Sequence, residues 1–526
     1  MPIIITQVKA SLSRKREAVI AKALKMAGIR ENDVESADIH KTSLDARKRD
    51  NIFFVHAVSV TLKDKQAEER VAIQKKLTYS PDCEPDIVKG TTKRNGRPIV
   101  VGFGPAGMFC ALVLAENGYR PIVLERGADV DERVKKVHSF WTGNELCENT
   151  NVQFGEGGAG SFSDGKLVTR IKDPLCGYVL RRLAQFGAPQ EILTKAKPHI
   201  GTDKLRNIVK TIRERIIKLG GEVRFNTTFD GFQRSGTLIQ SVNAGNDSFE
   251  ASAVVLATGH SARDTFEMLL SENIAMESKP FAIGARIEHL QADVNESLYG
   301  QYASNPLLPQ GEYQLSHTRK DGQSAYTFCM CPGGVVVPAA SERNTVVVNG
   351  MSEFARDGKN ANAALVVAVN KNDFGSGILD GMNFAREIER KAFEATGCYK
   401  APATTVGGFL DGKPTLSDKV SPSYAVGVVP SDFSKILPSR VCSMMKEGLG
   451  VFARKMHCFG DMNAMLTAPE TRTSSPIRIL RNEQMKSVSI ENLYPCGEGA
   501  GYAGGITSSA VDGVKVALSI MSELEG

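Results

Sequence analysis

The sequence predicts an α/β protein in which a dinucleotide-binding domain carries an inserted α+β domain and follows a small α+β domain. Three observations support this prediction. A strand, a glycine-rich turn, a helix and a second strand follow one another over residues 97–125. An apolar strand covers residues 252–259, and another glycine-rich segment covers residues 493–506. The intervening residues 281–434 show further strand patterns, so one sheet must be assembled from distant parts of the chain.

The composition is that of an ordinary globular protein, with 42% apolar and 24% charged residues among 526. No apolar run approaches the ~20 residues of a membrane helix, and the first residues lack a basic, then apolar, signal pattern. We therefore expect a cytoplasmic protein without a membrane partner. The ten cysteines are scattered without a Cys-x-x-Cys pair, so no metal site is predicted.

The first 90 residues predict a basic domain of β-α-β-β type. Residues 2–8 have a weak strand pattern, Arg14–Met26 has helical spacing ended by Gly28, and Val34–Thr42 and Ile52–Leu62 form a hairpin. Lys and Arg exceed Asp and Glu here, whereas the remainder is near neutral. We interpret this excess as a solvated surface; the disfavoured alternative is an acidic partner, nucleic acid included.

A complete β-α-β unit follows the linker that ends at Gly96. Arg97–Val101 is a buried parallel strand, Gly102–Gly107 has the GxGxxG spacing, and Met108–Asn117 is a helix of small and apolar residues. Pro121–Leu124 is the second strand, and Glu125 stands at its end. A lone GxGxxG is a weak signal, but a preceding strand, a following helix and an acidic residue about 20 positions on make it specific.

Each residue of this fingerprint has a physical role. Gly102 permits the tight turn, Gly104 lets the backbone approach a pyrophosphate, and Gly107 lets helix and strand pack closely. The helix N-terminus offers free N–H groups to phosphates. Glu125 can accept hydrogen bonds from ribose hydroxyls, and its charge repels a 2′-phosphate, so NADP fits this site poorly.

We predict four domain segments. Residues 1–90 form the N-terminal domain, residues 97–280 and 435–526 form the dinucleotide-binding domain, and residues 281–434 form an inserted substrate or cap domain. Phe281–Glu288 and Thr345–Asn349 are its predicted strands.

Three other segments resemble the glutathione-reductase-like FAD-binding superfamily. The strand at 252–259 ends in Ala-Thr-Gly, and Leu493–Ile506 resembles the second FAD motif, with Glu498 where the superfamily usually has Asp. The cluster Gly155–Lys166 lies where these proteins bring a loop over the flavin; the alternative is a flexible surface loop. Together with the fingerprint, the resemblance implies a Rossmann-like FAD/NAD(P)-binding domain with non-covalently bound FAD.

Over nearly its whole length the chain resembles bacterial and plastid flavoproteins described as FAD-dependent dehydrogenases of unknown substrate. Four segments carry the resemblance: Phe154–Lys166, Phe328–Gly334, Glu470–Pro476 and Cys496–Ile506. It implies FAD binding and a redox role without a reaction. The implied cofactor-binding residues are Gly102, Gly104, Pro105, Ala106, Gly107, Glu125, Arg126, Gly157, Gly158, Gly160, Ser161, Phe229, Ala257, Thr258, Gly259, Gly497, Glu498, Gly504, Gly505 and Ile506.

Five residues are candidates for chemistry. Cys329 and Cys331 point to the same face if they lie on a strand. If that face meets the flavin, either one is a candidate thiolate or redox partner; the alternative is two buried apolar residues on a core strand. Glu470 is a candidate acid or base, and Arg472 a bidentate holder of a substrate carboxylate or phosphate; the alternative is a capping and salt-bridge segment. Lys166 could stabilise an anionic reduced flavin or be a surface lysine.

The absence of a second GxGxxG unit bears on the electron donor. Residues 281–430 contain none, so electrons must come from a transiently docked NADH or NADPH, from a substrate or from a donor protein. We predict an FAD-dependent oxidoreductase that transfers hydride to or from an unknown small molecule. The alternatives are an RNA-associated flavoprotein, as in tRNA modification, and a sensor that binds FAD without turnover.

Overall fold

A computed structural model of the chain describes residues 2–81 and 83–525. Three sheets organise the chain: a four-stranded sheet near the N-terminus, a mixed seven-stranded sheet with a parallel centre, and a largely antiparallel seven-stranded sheet. Among the described residues, no helix is long and apolar enough to cross a membrane.

The N-terminal sheet has the strand order β2-β3-β1-β4. Lys65–Lys75 and Thr78–Tyr79 extend the predicted β-α-β-β pattern to β-α-β-β-α-β. This second helix is charged and buries only Glu68 and Ala72, so its sequence gives little apolar periodicity. The elements are β1 (Ile3–Ala10), α1 (Arg16–Ala27), β2 (Val34–Asp45), β3 (Phe53–Leu62), α2 (Lys65–Lys75) and β4 (Thr78–Tyr79).

Backbone hydrogen bonds attach this domain to the next one. The Thr42 N–H donates to the Thr194 carbonyl at 2.7 Å, and the Ala196 N–H donates to the Thr42 carbonyl at 2.8 Å. Because β2 lies at the edge of its sheet, its free backbone groups find partners in this way.

The dinucleotide-binding domain begins with the predicted strand at Arg97–Val101, and its glycine-rich turn leads into a helix that starts at Pro105. Proline suits this first helical position because its missing N–H would have no partner there. The elements are β5 (Arg97–Val101), α3 (Pro105–Glu116), β6 (Ile122–Leu124), α4 (Val130–Gly143), α5 (Leu175–Gln185), α6 (Thr202–Lys218), β7 (Glu222–Arg224), β8 (Gly231–Ser235), β9 (Leu238–Ala244), β10 (Asp247–Leu256) and α7 (Arg263–Ser271).

The sheet of this domain has the order β7-β6-β5-β10-β9-β8, and a late strand, Leu493–Pro495, pairs in parallel with β10. Strands β5, β6, β7 and β10 are parallel, whereas β9 and β8 are antiparallel additions to the first half of β10. The carboxyl ends of β5, β6 and β10 therefore meet at one edge, where open α/β sheets bind ligands.

The inserted domain contains a sheet of order β13-β14-β17-β12-β20-β18-β19. Its central strands are apolar and almost entirely buried, as expected for strands covered on both faces. The elements are β11 (Met276–Ser278), β12 (Phe281–Leu290), α8 (Gln291–Tyr299), β13 (Ser316–Thr318), β14 (Ser324–Cys331), β15 (Val335–Pro338), β16 (Val348–Met351), β17 (Asn360–Val369), α9 (Lys371–Phe374), α10 (Asp380–Thr396), β18 (Ala401–Thr405), α11 (Val406–Asp411), β19 (Val428–Pro430), α12 (Ser439–Lys455) and β20 (Met465–Glu470).

The structure moves one predicted boundary. The sequence prediction ends the inserted domain at residue 434, but α12 packs on β17 and β14, and β20 pairs with β12. Residues up to about 470 thus belong to the inserted sheet, since β20 finds its partners there and not in the parallel sheet. The chain then returns through β21 (Ile477–Ile479), β22 (Leu493–Pro495) and α13 (Ile506–Glu523).

Candidate functional site

A cleft of about 1300 Å³ lies between the carboxyl edge of the parallel sheet and the inserted domain. It is lined by most of the predicted site residues from both domains. Those that line it are Gly102, Gly104, Pro105, Ala106, Glu125, Arg126, Gly158, Gly160, Lys166, Phe229, Ala257, Thr258, Gly259, Cys329, Glu470, Arg472, Glu498, Gly504, Gly505 and Ile506. Five predicted residues are absent from the lining, namely Gly107, Gly157, Ser161, Cys331 and Gly497.

The fingerprint glycines divide into packing and cleft-facing positions. A Cβ on Gly107 would collide with the Gly102 carbonyl oxygen, and one on Gly102, whose φ is 96°, would collide with the Ala257 carbonyl. Gly104 instead faces Gly158 across the cleft wall, with 3.7 Å from its ideal Cβ position to the Gly158 Cα. Gly107 and Gly102 let α3 and β10 approach β5, while the backbone of Gly104 remains open to a ligand.

Glu125 organises the two glycine-rich loops. One carboxylate oxygen accepts the Phe103 N–H at 2.8 Å, and the other accepts the N–H groups of Gly127 at 2.9 Å and Gly155 at 3.0 Å. A carboxylate has about four acceptor positions. Glu125 therefore holds the loops in place and keeps acceptor capacity towards the cleft.

A buried arginine that the sequence analysis missed shapes the third glycine cluster. Arg133 on α4 donates hydrogen bonds to the carbonyl groups of five residues, and burial lowers its pKa to about 10. Arg133 stands among charged residues in the sequence of α4, a pattern typical of an exposed helix face, so the sequence does not indicate that it is buried. Ser161 and Phe162 are buried, which disagrees with the alternative of a flexible surface loop. The carbonyl partners of Arg133 are Asn151, Val152, Gly155, Glu156 and Gly158.

Two helix N-termini reach the cleft. Neither α3 nor α13 has a side-chain cap, so their first N–H groups are free for an anion. The helix α13 begins at Ile506. Glu498 lies 3.3 Å from the Nδ1 atom of His260, a cleft residue that no sequence pattern indicated. Gly497 donates its N–H to Asp512 at 2.7 Å.

The structure corrects the role predicted for Arg472. Its guanidinium does not face the cleft as a free fork, because it donates to both carboxylate oxygens of Glu389, at 3.2 and 3.1 Å. Arg263 of α7 binds the same carboxylate at 2.8 and 2.9 Å. Burial opposes ionisation of Glu389, but the two arginines outweigh it and lower its pKa to about 2. The salt-bridge alternative thus describes Arg472.

Glu470 is a buried carboxyl group at the cleft. Burial raises its pKa to about 7, and Arg286, whose Nη1 lies 3.4 Å from it, opposes this shift only in part. A group with this pKa can hold or release a proton near neutral pH.

The cysteine pair does not have the regular strand geometry expected from its spacing. The pairing of β14 with β17 is interrupted between Phe328 and Cys331, and Cys329 has a φ of 43°. The strict alternation of side chains is lost at such a bulge. Cys329 lines the cleft, whereas Cys331 is fully buried beside Arg286.

Lys166 is neither free nor a simple surface lysine. Its Nζ lies 2.7 Å from Asp164 and 3.6 Å from Glu312. Burial opposes its charge, but these carboxylates outweigh burial and raise its pKa. Lys166 is therefore a cation at the cleft wall.

Within residues 2–81 and 83–525, no three His, Cys, Asp or Glu side chains are grouped as a metal site.

Comparison with known proteins identifies the family. Residues 280–473 match the family described as FAD-dependent protein, C-terminal domain-like, and residues 1–61 match a domain of unknown function. An uncharacterized protein of Clostridium beijerinckii is 45% identical over 530 residues, which cover 100% of this chain and 99% of that protein. The chain belongs to the same family as this clostridial protein. The range matched by the FAD-dependent family, residues 280–473, includes β20, which also pairs with β12 in the sheet of the inserted domain.

Solved structures are similar only at a low level. Glycine oxidase from Geobacillus kaustophilus is 11% identical, with coverage of 81% of this chain and 95% of that one and a TM-score of 0.35. L-amino acid deaminase from Proteus vulgaris is 12% identical, with coverage of 84% and 96% and a TM-score of 0.33. Scores at this level carry no inference about activity.

The residues of the cleft fit FAD. Two uncapped helix N-termini and the open backbone of Gly104 and Gly158 suit a pyrophosphate, and Glu125 suits ribose hydroxyls. The family description and this geometry agree, and FAD is the cofactor of this protein.

Proposed function

We propose that the protein is an FAD-dependent oxidoreductase that acts on a small molecule bound between the inserted domain and the dinucleotide-binding domain. One observation carries this proposal: a single cleft is lined both by the dinucleotide fingerprint and by ionisable residues of the inserted domain, among them Glu470 and Cys329. Bound FAD supplies two-electron chemistry, and the protein supplies position, charge and protons.

Glu470 is the proposed acid–base group. It lies at the end of β20, lines the cleft and has a pKa raised to about 7 by burial. In its protonated form it can donate a proton to a substrate, and as a carboxylate it can accept one. Arg286 beside it limits the shift, so both forms are accessible near neutral pH.

Lys166 is the proposed electrostatic group. Its ammonium stands at the cleft wall in the glycine-rich loop that the resemblance puts near the flavin. A fixed cation there favours negative charge that develops in the cleft. Arg472 is instead a positioning residue, because its donors are directed at Glu389 and Ser341.

The test is an anaerobic visible spectrum of the purified protein before and after addition of NADH or NADPH. We expect a flavin band that bleaches with one nicotinamide, which identifies the donor. A band that no nicotinamide and no small-molecule reductant bleaches would favour a non-catalytic sensor. A protein that neither contains flavin nor takes up added FAD would overturn the proposal.

Lys166→Met tests the electrostatic role. Because the variant lacks the cation at the cleft wall, we expect a more negative flavin reduction potential than in the wild type. Lys218→Met is the control, since Lys218 is an exposed lysine of α6 outside the cleft lining. Equal potentials in the two variants would contradict the role given to Lys166.

A further inference from the structure

The backbone at the end of β14 places one thiol at the cleft and a second one next to it in the interior. Cys329 has a left-handed φ of 43° at the bulge and lines the cleft, and the buried Cys331 thiol donates to the Cys329 carbonyl at 3.5 Å. Only one residue separates them, so their Cα atoms are at most about 7 Å apart. A disulfide tolerates Cα separations of about 4.4–6.8 Å, so the pair can close one with a small adjustment.

A buried cation is directed at this pair. The Arg286 guanidinium is fully buried, donates to the Cys329 carbonyl at 2.9 Å and lies 3.5 Å from the Cys331 Sγ. Its nearest carboxylate, Glu470, is at 3.4 Å. A guanidinium in contact with a thiol favours the thiolate, which is the nucleophilic form.

The surrounding charges favour one thiolate in the pair. A hydrogen bond from Cys329, followed by Arg286 and Lys166, lowers the pKa of Cys331 against the effects of burial and Asp164. The same hydrogen bond and burial raise the pKa of Cys329. The Glu470 carboxylate also opposes a charge on Cys331, and Tyr313 stays neutral because burial raises its pKa.

The cleft beside the pair has an unsatisfied polar group. Tyr313 is 8% exposed and lines the cleft, and its hydroxyl has no hydrogen-bond partner among the described residues. Phe328 lines the same region and is 39% exposed. A buried hydroxyl without a protein partner is available to hydrogen-bond a polar molecule that enters the adjacent space.

We propose that Cys329 and Cys331 form a redox-active dithiol that reduces a small-molecule disulfide in the cleft, an inference that rests on the proposed oxidoreductase function. Cys329, which lines the cleft, passes its proton to the Cys331 thiolate across their hydrogen bond as its sulfur attacks one sulfur of the substrate, and the substrate S–S bond breaks. The first product leaves as a thiolate, and a mixed disulfide remains on Cys329.

The second step closes the cysteine pair. Cys331 attacks the Cys329 sulfur, the mixed disulfide breaks, and the second product thiolate leaves. Two electrons have then moved from the pair to the substrate, and the one proton that the monothiolate pair carried leaves with the two product thiolates. A hydride from a reduced nicotinamide and one proton from solvent restore the dithiol.

The experiment uses 5,5′-dithiobis(2-nitrobenzoic acid), an aromatic disulfide that releases a coloured thiolate, on reduced and desalted full-length protein. Cys147, Cys176 and Cys398 are replaced by serine in all samples, since they are the other partly exposed cysteines. We expect a fast release of about two equivalents of thiolate and a product about 2 Da lighter than the dithiol, without an adduct.

Single variants assign the steps. Cys331→Ser should release about one equivalent and keep a stable adduct on Cys329, because the resolving thiol is missing. Cys329→Ser should react at least about ten-fold more slowly, because Cys331 is buried. Slow release in the parent protein, or stable adducts on both cysteines, would overturn the dithiol proposal.

The flavin spectrum separates this inference from the proposed function. A parent protein whose flavin bleaches with a nicotinamide but whose cysteines form no disulfide overturns only the dithiol. A protein without flavin overturns the proposed function, whatever its thiols do. Re-reduction of the closed disulfide by a nicotinamide, followed as recovery of free thiols, would support both.

Discussion

At the scale of single residues, the cleft depends on buried charges that bind backbone groups. Glu125 accepts the N–H groups of Phe103, Gly127 and Gly155, and Arg133 donates to five carbonyl groups between residues 151 and 158. Such loops contain few side chains of their own to pack, so a charged group that satisfies their backbone holds them in shape. Substitution at these positions should therefore affect cofactor retention before it affects the distant sheets.

We expect Glu125→Ala to lose most of its FAD. Three buried N–H groups lose their acceptor, at about 1–3 kcal/mol for each group left unsatisfied. The measurement is flavin per chain after gel filtration. Glu214→Ala on the exposed face of α6 is the matched control and should keep its flavin. Equal flavin content in the two variants would contradict the role of Glu125.

Two Gly→Ala substitutions in helices should have opposite effects. Gly107→Ala places a Cβ against the Gly102 carbonyl, and overpacking of this kind costs about 1–3 kcal/mol. Gly450→Ala on α12 meets nothing within 4 Å at an exposed site, so it should stabilise the helix by about 0.5–1 kcal/mol. Thermal unfolding of both variants checks this, and a shift of the same sign in both would contradict the packing argument.

Arg286 is a positioning residue for the thiol pair, and Arg286→Lys tests it through pH. The guanidinium contact lowers the pKa of Cys331, so its loss should shift the rise of thiolate release towards higher pH. The reaction rate is measured across pH for wild type and variant. An unchanged profile would show that Arg286 only fills space, while a uniform loss at every pH would indicate misfolding.

At the scale of elements, an ion-pair network joins the two domains that form the cleft. Glu389 on α10 is fully buried between Arg263 of α7 and Arg472, which follows β20. Neither sheet alone would bury these three charges together. The network therefore couples the position of α7 to that of the inserted sheet.

Glu389→Gln should destabilise the protein by about 3–5 kcal/mol at neutral pH, because two buried guanidinium groups lose their counter-charge. Glu387→Gln, an exposed neighbour on α10, should change stability by about 0–1 kcal/mol. Denaturant unfolding of each variant gives the values. Equal effects would contradict a structural role for the network.

The stability that the Glu389 carboxylate contributes depends on pH in a defined direction. The pKa of Glu389 is lowered from 4.5 to about 2 in the folded protein. A depressed carboxyl pKa stabilises the fold above pH 4.5, and this contribution is lost as the pH falls towards 2. The stability difference between wild type and Glu389→Gln should therefore shrink over that range. A constant difference would show that the carboxylate charge does not matter.

At the scale of the whole molecule, the cofactor cleft touches most parts of the fold. Its lining comes from β5, β6, β14, β20, α13 and the segment that follows β10, which are far apart in the sequence. A ligand that binds only the folded state stabilises it, by about 2.7 kcal/mol at 100 times its Kd. FAD should thus raise the melting temperature of the flavin-depleted protein in a concentration-dependent way.

The melting curve of flavin-depleted protein is measured with increasing FAD and, as a control, with AMP. We expect a larger shift with FAD, because AMP can contact only the part of the cleft near Glu125. Equal shifts for both ligands would mean that the inserted domain takes no part in binding.

The sequence by itself determined the β-α-β unit at residues 97–125, its glycine roles and the resemblance that implies FAD. These signals are local: a strand, a turn and a helix leave a pattern within about 30 residues.

Only the tertiary structure decided which distant side chains meet. Arg472, predicted to hold a substrate, pairs with Glu389. Arg286 contacts Cys331 and Arg133 binds loop carbonyls, and no local pattern marked either contact. The assignment of β20 to the inserted sheet was decided in the same way. The physical reason is that burial and long-range pairing depend on how sheets assemble, whereas periodicity and turn chemistry report only on neighbours along the chain.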